Sequence, residues 1–146
     1  MNVSLRQLVL ALVFIGMVGL EIELALLRHA DSFSQLIPHI VLLIGLLATV
    51  LAYLRPSVAT LRAFQAIMWL FVVIGVLGLF LHFKGNLEFA TERDPSLSGF
   101  RLLWKVLRGA TPALAPGALS QLGLLGLIYT YKHPVLALST DTKSEA

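Results

Sequence analysis

The chain contains no cysteine, which excludes disulfide bonds, iron–sulfur clusters and metal sites built from thiolates. Charged residues are also scarce: they make up 13% of the 146 residues, whereas soluble domains carry about a quarter. Hydrophobic residues account for 58% of the chain. A surface this apolar is stable in a bilayer and not in water, so the composition predicts an integral membrane protein.

The sequence also lacks a cluster of basic residues. Its formal net charge is +3, but the Lys and Arg residues lie singly near the ends of apolar stretches. Nucleic-acid binding requires a concentrated basic face, whereas isolated basic residues beside apolar segments are typical of membrane flanks. We therefore expect the lipid bilayer as a partner and exclude nucleic acid.

The N-terminus resembles a signal peptide, because Arg6 is followed by the apolar run Leu8–Leu20. However, the charged residues Glu21 and Glu23 follow that run in place of a small-x-small cleavage site. We interpret this segment as an uncleaved first membrane span.

Four apolar stretches have the length of a transmembrane helix, about 20 residues. The sequence predicts an all-α, four-transmembrane-helix bundle as one domain over residues 1–134, with 135–146 as a polar flexible tail. An even number of spans puts both termini on one side of the membrane, here called side A. We expect a multi-pass protein of the inner (plasma) membrane with side A in the cytoplasm. The predicted spans are 8–27, 37–54, 61–83 and 111–131.

The connection between the third and fourth spans, on the opposite side B, has its own pattern. Lys84-Gly85-Asn86 predicts the end of the third helix, and Asp94-Pro95-Ser96 predicts a turn. Residues 97–108 predict an amphipathic interfacial helix lying among the headgroups with Trp104 as its anchor. An ordinary helix capping the bundle fits this pattern equally well. The basic face holds Arg101, Lys105 and Arg108, and the opposite face holds Phe100, Leu103, Trp104 and Leu107.

Two pairs of spans resemble each other. Ile44–Ala48 matches Leu122–Gly126 at an offset of 78 residues, and the first and third spans match at an offset of 59. This similarity indicates either a duplicated helical hairpin (a 2+2 arrangement) or the chance likeness of Leu-rich helices. Glycines recur at matching positions in the first and third spans, and small residues mark faces where helices approach closely. We therefore predict helix packing through Gly16, Gly19, Gly75 and Gly78.

Ionisable side chains inside spans are candidates for function, because burying them in lipid is costly. Glu23 follows Gly16 and Gly19 on one helical face, and His82 follows Gly75 and Gly78 in the same way. We expect both side chains to face the bundle axis, with Glu21 on another face and directed towards the headgroups. Six potential metal ligands would then meet near side B: Glu23, His29, His39, His82, Glu88 and Glu92.

Histidine with carboxylate suits zinc, iron, manganese or copper(II), and two of the histidines could instead ligate haem. No metal-binding motif supports this set, so two simpler interpretations stay open. Glu23 could hydrogen-bond His82 or Gln121 across a helix interface, or a Glu–His pair could carry a proton.

No Gly-x-Ser-x-Gly or phosphate-binding glycine pattern is present, and no residue pattern indicates an enzyme. The sequence favours a non-catalytic membrane subunit or anchor that binds a partner or its own copies. The alternatives are a metal- (or haem-) or proton-handling protein and a small transporter.

Overall fold

The computed structural model describes residues 4–28, 30–109 and 114–137, and these residues form helices without strands. Three helices are long and apolar enough to cross a membrane, and a fourth apolar helix, α5, is shorter at 14 residues. The expectation of an all-helical membrane protein is therefore confirmed. The helices are α1 (Leu5–Leu26), α2 (Phe33–Leu54), α3 (Val58–Arg93), α4 (Gly99–Leu107) and α5 (Gly117–Thr130).

Local sequence signals set several helix ends. The Ser4 hydroxyl accepts a hydrogen bond from the Gln7 N–H at the start of α1, and the Gln7 side chain accepts one from the Ser4 N–H. Ser57 and Thr60 make the same reciprocal pair at the start of α3. Such capping boxes satisfy N–H groups that have no partner within the helix. Between α2 and α3, Pro56 interrupts the helical path.

The predicted end of the third helix at Lys84-Gly85-Asn86 is wrong. Helix α3 continues through these residues for 36 residues in all, about 54 Å at 1.5 Å per residue. A single glycine costs a helix only about 1 kcal/mol, and the packing of α4 against this end of α3 offsets that cost. The buried Asn86 amide donates to the Val106 carbonyl of α4 at 3.0 Å.

The packing between helices also differs from the prediction. Among the described residues, α1 and α3 each pack against α2 and α5, and their backbones do not approach each other. The glycines of α1 and α3 therefore do not meet. A Cβ atom on Gly16 would overlap Leu122 of α5, and one on Gly78 would overlap Pro116, just before α5.

Gly75 faces the backbone of Pro116 and Ser120, whereas a Cβ on Gly19 would meet no described atom within 4 Å. Three of the four predicted packing glycines thus allow α5 and the residue before it to approach closely, and Gly19 lies on the outer surface of α1. The fourth apolar helix, and not the contact between α1 and α3, is what these small residues accommodate.

The core lies where α2 and α5 meet the larger apolar side chains of α1 and α3. Met17, Phe64, Met68 and Phe71 are fully buried there. Many other apolar side chains, such as Trp69 in the first half of α3, are exposed. An exposed apolar belt around three long helices is the surface that a bilayer covers.

The burial pattern agrees with one of the two internal matches only. At the offset of 78, buried Gly45 and Ala48 of α2 correspond to buried Gly123 and Gly126 of α5. At the offset of 59, buried Met17 of α1 corresponds to the exposed Val76 of α3. The duplicated hairpin therefore stays a prediction.

The start of the predicted tail is ordered. Residues 134–137 form a helical turn, and Val135 and Leu136 pack against the core. The remainder of the tail, 138–146, lies outside the described residues.

Candidate functional site

A carboxylate and an imidazole meet between α1 and α2 near side B. Oε1 of Glu21 lies 2.8 Å from Nδ1 of His39, a hydrogen-bonding distance. Glu21 is about one and a half turns from the end of α1, and His39 is in the second turn of α2. The two side chains are 25% and 14% exposed, respectively. Two antiparallel helices joined by a short loop thus hold a titratable pair close to the end of their apolar stretches.

The second carboxylate oxygen of Glu21, Oε2, is buried, and among the described residues it has no hydrogen-bond partner. Leaving a buried acceptor unsatisfied costs about 1–3 kcal/mol, and more for a charged group. This oxygen therefore has capacity for a proton, a water molecule or another donor.

The prediction that Glu23 faces inwards is wrong: Glu23 is exposed, and Glu21 is the half-buried acid. The inner face of α1 is set by its large apolar side chains, since Val13 and Met17 are fully buried. Glu21 lies four residues after Met17 and so continues that face. The spacing of large apolar residues was the signal that could have identified Glu21, and the glycines were misleading.

The other predicted ligands do not assemble into one group in the described part of the chain. His82 is half-buried, and Glu92 is exposed. Glu88 is exposed and lies 3.6 Å from the ammonium of Lys84, one turn earlier on α3. His29 lies outside the described residues. Among the residues described, no three His, Asp or Glu side chains are placed to hold a metal ion together, so the metal hypothesis gains no support, and haem ligation by two histidines stays a prediction.

A second polar cluster lies at side A, where α1 meets the end of α5. The Arg6 guanidinium donates to the carbonyls of Tyr129, Tyr131 and Lys132 at 2.8, 3.1 and 3.3 Å. The last carbonyls of a helix lack partners within it and carry partial negative charge, so a cation there is stabilising. Arg6 thereby links the first helix to the last.

Beside Arg6 is an open cavity of about 230 Å³. His133 is buried in its wall, and the Val135 N–H donates to His133 Nδ1 at 3.3 Å. Burial lowers the pKa of His133 below its usual range, and the positive charge of Arg6 lowers the pKa further. The cavity is lined by Ser4, Arg6, Gln7, Leu10, Ala52, Tyr53, Pro56, Tyr129 and His133.

Each end of the helices therefore has a distinct chemistry. Side B holds an acid with an oxygen that has no partner among the described residues, and side A holds an arginine that donates to three backbone carbonyls. Comparison of the chain with models of protein families, with curated proteins and with solved structures finds no match.

Proposed function

We propose that the chain is a four-span membrane protein that handles protons through Glu21 and His39. Helices α1, α2, α3 and α5 are the spans, and the pair exchanges a proton with the solution on side B. The observation that carries the proposal is the 2.8 Å contact between the two side chains inside apolar helices.

The chemistry of the pair favours a proton over a metal ion. An ionised Glu21 beside a neutral His39 has a net charge of minus one, and a single added proton makes the pair neutral overall. A charge costs about 2.5–3.5 kcal/mol at the centre of a transmembrane helix and less near its end, where this pair lies, so the protonation state affects the stability of the α1–α2 contact. A metal ion would need further ligands, and none joins the pair in the described residues.

The proposal is tested by measuring proton uptake. Purified protein in weakly buffered detergent solution is moved rapidly from mildly alkaline to mildly acidic pH, and a soluble indicator dye reports the protons bound. We expect Glu21→Gln and His39→Gln each to bind fewer protons per chain than the wild type, because each removes one of the two groups that hold the added proton. The double variant should lose no more than either single variant, because the two groups share that proton.

Glu23→Gln is the matched control, because Glu23 is on the same helix, two residues away, and exposed. Glu23→Gln should change the proton uptake by the same amount whether it is introduced into the wild type or into His39→Gln. Additive losses for Glu21 and His39 would mean that the two groups titrate independently, and the proposal would then be rejected.

A second candidate function is that of a non-catalytic membrane subunit or anchor. It is favoured by the outer face of α1, where Ile15, Gly19 and Glu23 are all exposed. A small residue next to a carboxylate on a lipid-facing surface suits close approach by another helix that carries a hydrogen-bond donor. We expect Gly19→Leu to abolish self-association or co-purification of a partner without lowering thermal stability. Unchanged assembly of this variant would count against the function.

The small-transporter hypothesis has less support. On α5, Ser120 donates to the Val72 carbonyl and Thr130 accepts from the Gln65 amide, so these polar groups join α5 to α3. They stabilise the packing of the helices and do not form a polar path from one side to the other.

A further inference from the structure

Helix α4 has three distinct faces. At 100° per residue, Leu102, Val106 and Gly109 lie on the side that packs against α3. Val106 is fully buried, and Gly109 is covered by the side chain of Asn86. In the described part of the chain, α4 packs on α3 and on no other helix. The rest of its circumference therefore meets no other helix among the described residues.

One free face is apolar. Phe100 is 75% exposed and Trp104 is 53% exposed, and their rings stack with centroids 6.2 Å apart. Leu103 lies beside them and is also exposed. Exposure of this apolar face to water is unfavourable, so we expect an apolar environment to cover it.

The other free face is basic. Arg101, Lys105 and Arg108 are exposed, and the Arg108 guanidinium carbon lies 5.8 Å above the centre of the Trp104 ring. Helix α4 contains no acidic residue, and none occurs in the sequence between Asp94 and Asp141. The Asp94 carboxylate accepts hydrogen bonds from Ser96, which lower its pKa, and the positive charges of Lys105 and Arg101 lower it further. The basic face thus has no acidic partner within its own helix.

The position of α4 relates both faces to the membrane surface. The C-terminal end of α4 reaches α3 at Asn86, three residues beyond the apolar stretch that ends at Phe83. At 1.5 Å per residue this is about 5 Å, which falls within the headgroup layer of a bilayer. Tryptophan and arginine side chains are typical of this layer.

We propose that α4 binds anionic phospholipids of the side B leaflet, with its aromatic face among the acyl chains and its basic face against lipid phosphates. The α3–α4 contact holds the helix at that depth, so a lipid is bound at a fixed place beside the spans. This inference is independent of proton binding by Glu21 and His39.

The experiment uses fluorescence quenching in lipid nanodiscs. Trp69→Phe leaves Trp104 as the sole tryptophan, since the chain has two. Nanodiscs contain phosphatidylcholine and phosphatidylglycerol in fixed proportions, and only one of the two lipids carries bromine near the glycerol end of its chains. We expect brominated phosphatidylglycerol to quench Trp104 at least about twofold more than brominated phosphatidylcholine at equal mole fraction.

The triple variant Arg101→Gln, Lys105→Gln, Arg108→Gln should lose this preference while remaining quenched by both lipids. The matched control, Arg55→Gln with Arg62→Gln, removes exposed cations at side A and should retain the preference. Added inorganic phosphate should not reduce it, which distinguishes a membrane lipid from a free anion.

Three results would overturn the proposal. Equal quenching by the two lipids in the wild type would mean that no anionic lipid is selected. Absence of quenching by either would mean that α4 is outside the lipid and faces a protein or solvent. A preference that phosphate removes, or that the triple variant keeps, would mean that the basic face does not bind lipid phosphates.

Discussion

At the scale of single residues, two glycines of α3 have opposite environments. A Cβ on Gly75 would overlap the backbone of Ser120 and Pro116, which cannot move without displacing the start of α5. A Cβ on Gly85 would meet no described atom within 4 Å. The same substitution should therefore have opposite effects at the two positions.

We expect Gly85→Ala to stabilise the protein by about 1 kcal/mol, because alanine favours the helical backbone. We expect Gly75→Ala to destabilise it by about 1–3 kcal/mol through overpacking. Unfolding in detergent, followed by circular dichroism, measures both variants. Similar stability of the two would mean that α5 does not approach α3 as closely as described.

His133 gives a prediction about pH. Because its pKa is lowered in the folded protein, folding favours the neutral imidazole. The resulting stability is present above the usual pKa of about 6.5 and is lost as pH falls through the lower folded value. We expect the thermal stability of the wild type to fall more steeply below about pH 6.5 than that of His133→Gln. Parallel curves for the two proteins would contradict this.

The two acids of α1 mark the limit of prediction at this scale. The sequence indicates that an acid and a histidine meet near side B, but the predicted pair was Glu23 with His82. Residues 21 and 23 differ by about 200° around a helix, so the outcome depends on which face packs. The face that contains the buried Met17 is the one that packs inwards. The burial of Met17 follows from contacts with other helices.

At the scale of helices, the α3–α4 pair combines predictable and unpredictable features. The turn at Asp94-Pro95-Ser96 was predicted correctly, because Asp94 and Ser96 form their hydrogen bonds locally. The separation of basic and apolar side chains on α4 follows from the spacing of residues alone. The continuation of α3 through Gly85 could not be read from the sequence, since it depends on Asn86 reaching Val106 of a later helix.

This contact predicts the effect of Asn86→Ala. Loss of the hydrogen bond to Val106 should cost about 1 kcal/mol and increase detachment of α4 about fivefold. Trypsin should therefore cleave after the exposed Arg101 faster by a similar factor. Gly85→Ala is the control, because it changes the adjacent residue without touching α4. Equal cleavage rates for both variants would contradict the role of Asn86.

At the scale of the whole molecule, the order of the helices along the chain could be predicted better than the contacts between them. Apolar runs separated by short turns indicate the helices and their alternating directions. The predicted contact between α1 and α3 was wrong, because both α2 and α5 pack between these two helices. Helix α5, with 14 residues, is also shorter than the predicted fourth span, 111–131. Residues 111–113 of that span lie outside the described residues.

The proposed topology can be tested directly, because a chain without cysteine accepts single cysteines as reporters. Ala59 is exposed at the start of α3, and Ser98 is exposed beyond the other end of α3, immediately before α4. In intact cells we expect an impermeant maleimide to label Ser98→Cys and not Ala59→Cys, with both labelled after the membrane is opened. Labelling of both from outside would contradict the four-span arrangement, and the reverse pattern would place side B in the cytoplasm.

The proposed function depends most on the proton shared between Glu21 of α1 and His39 of α2. Infrared spectra of the protein in lipid, recorded during a pH titration, detect the C=O stretch of a protonated carboxyl group. We predict a pH-dependent change in this band that Glu21→Gln removes, that His39→Gln shifts to a different pH, and that Glu23→Gln leaves in place. A band unchanged in Glu21→Gln, or unaffected by His39→Gln, would contradict the pair.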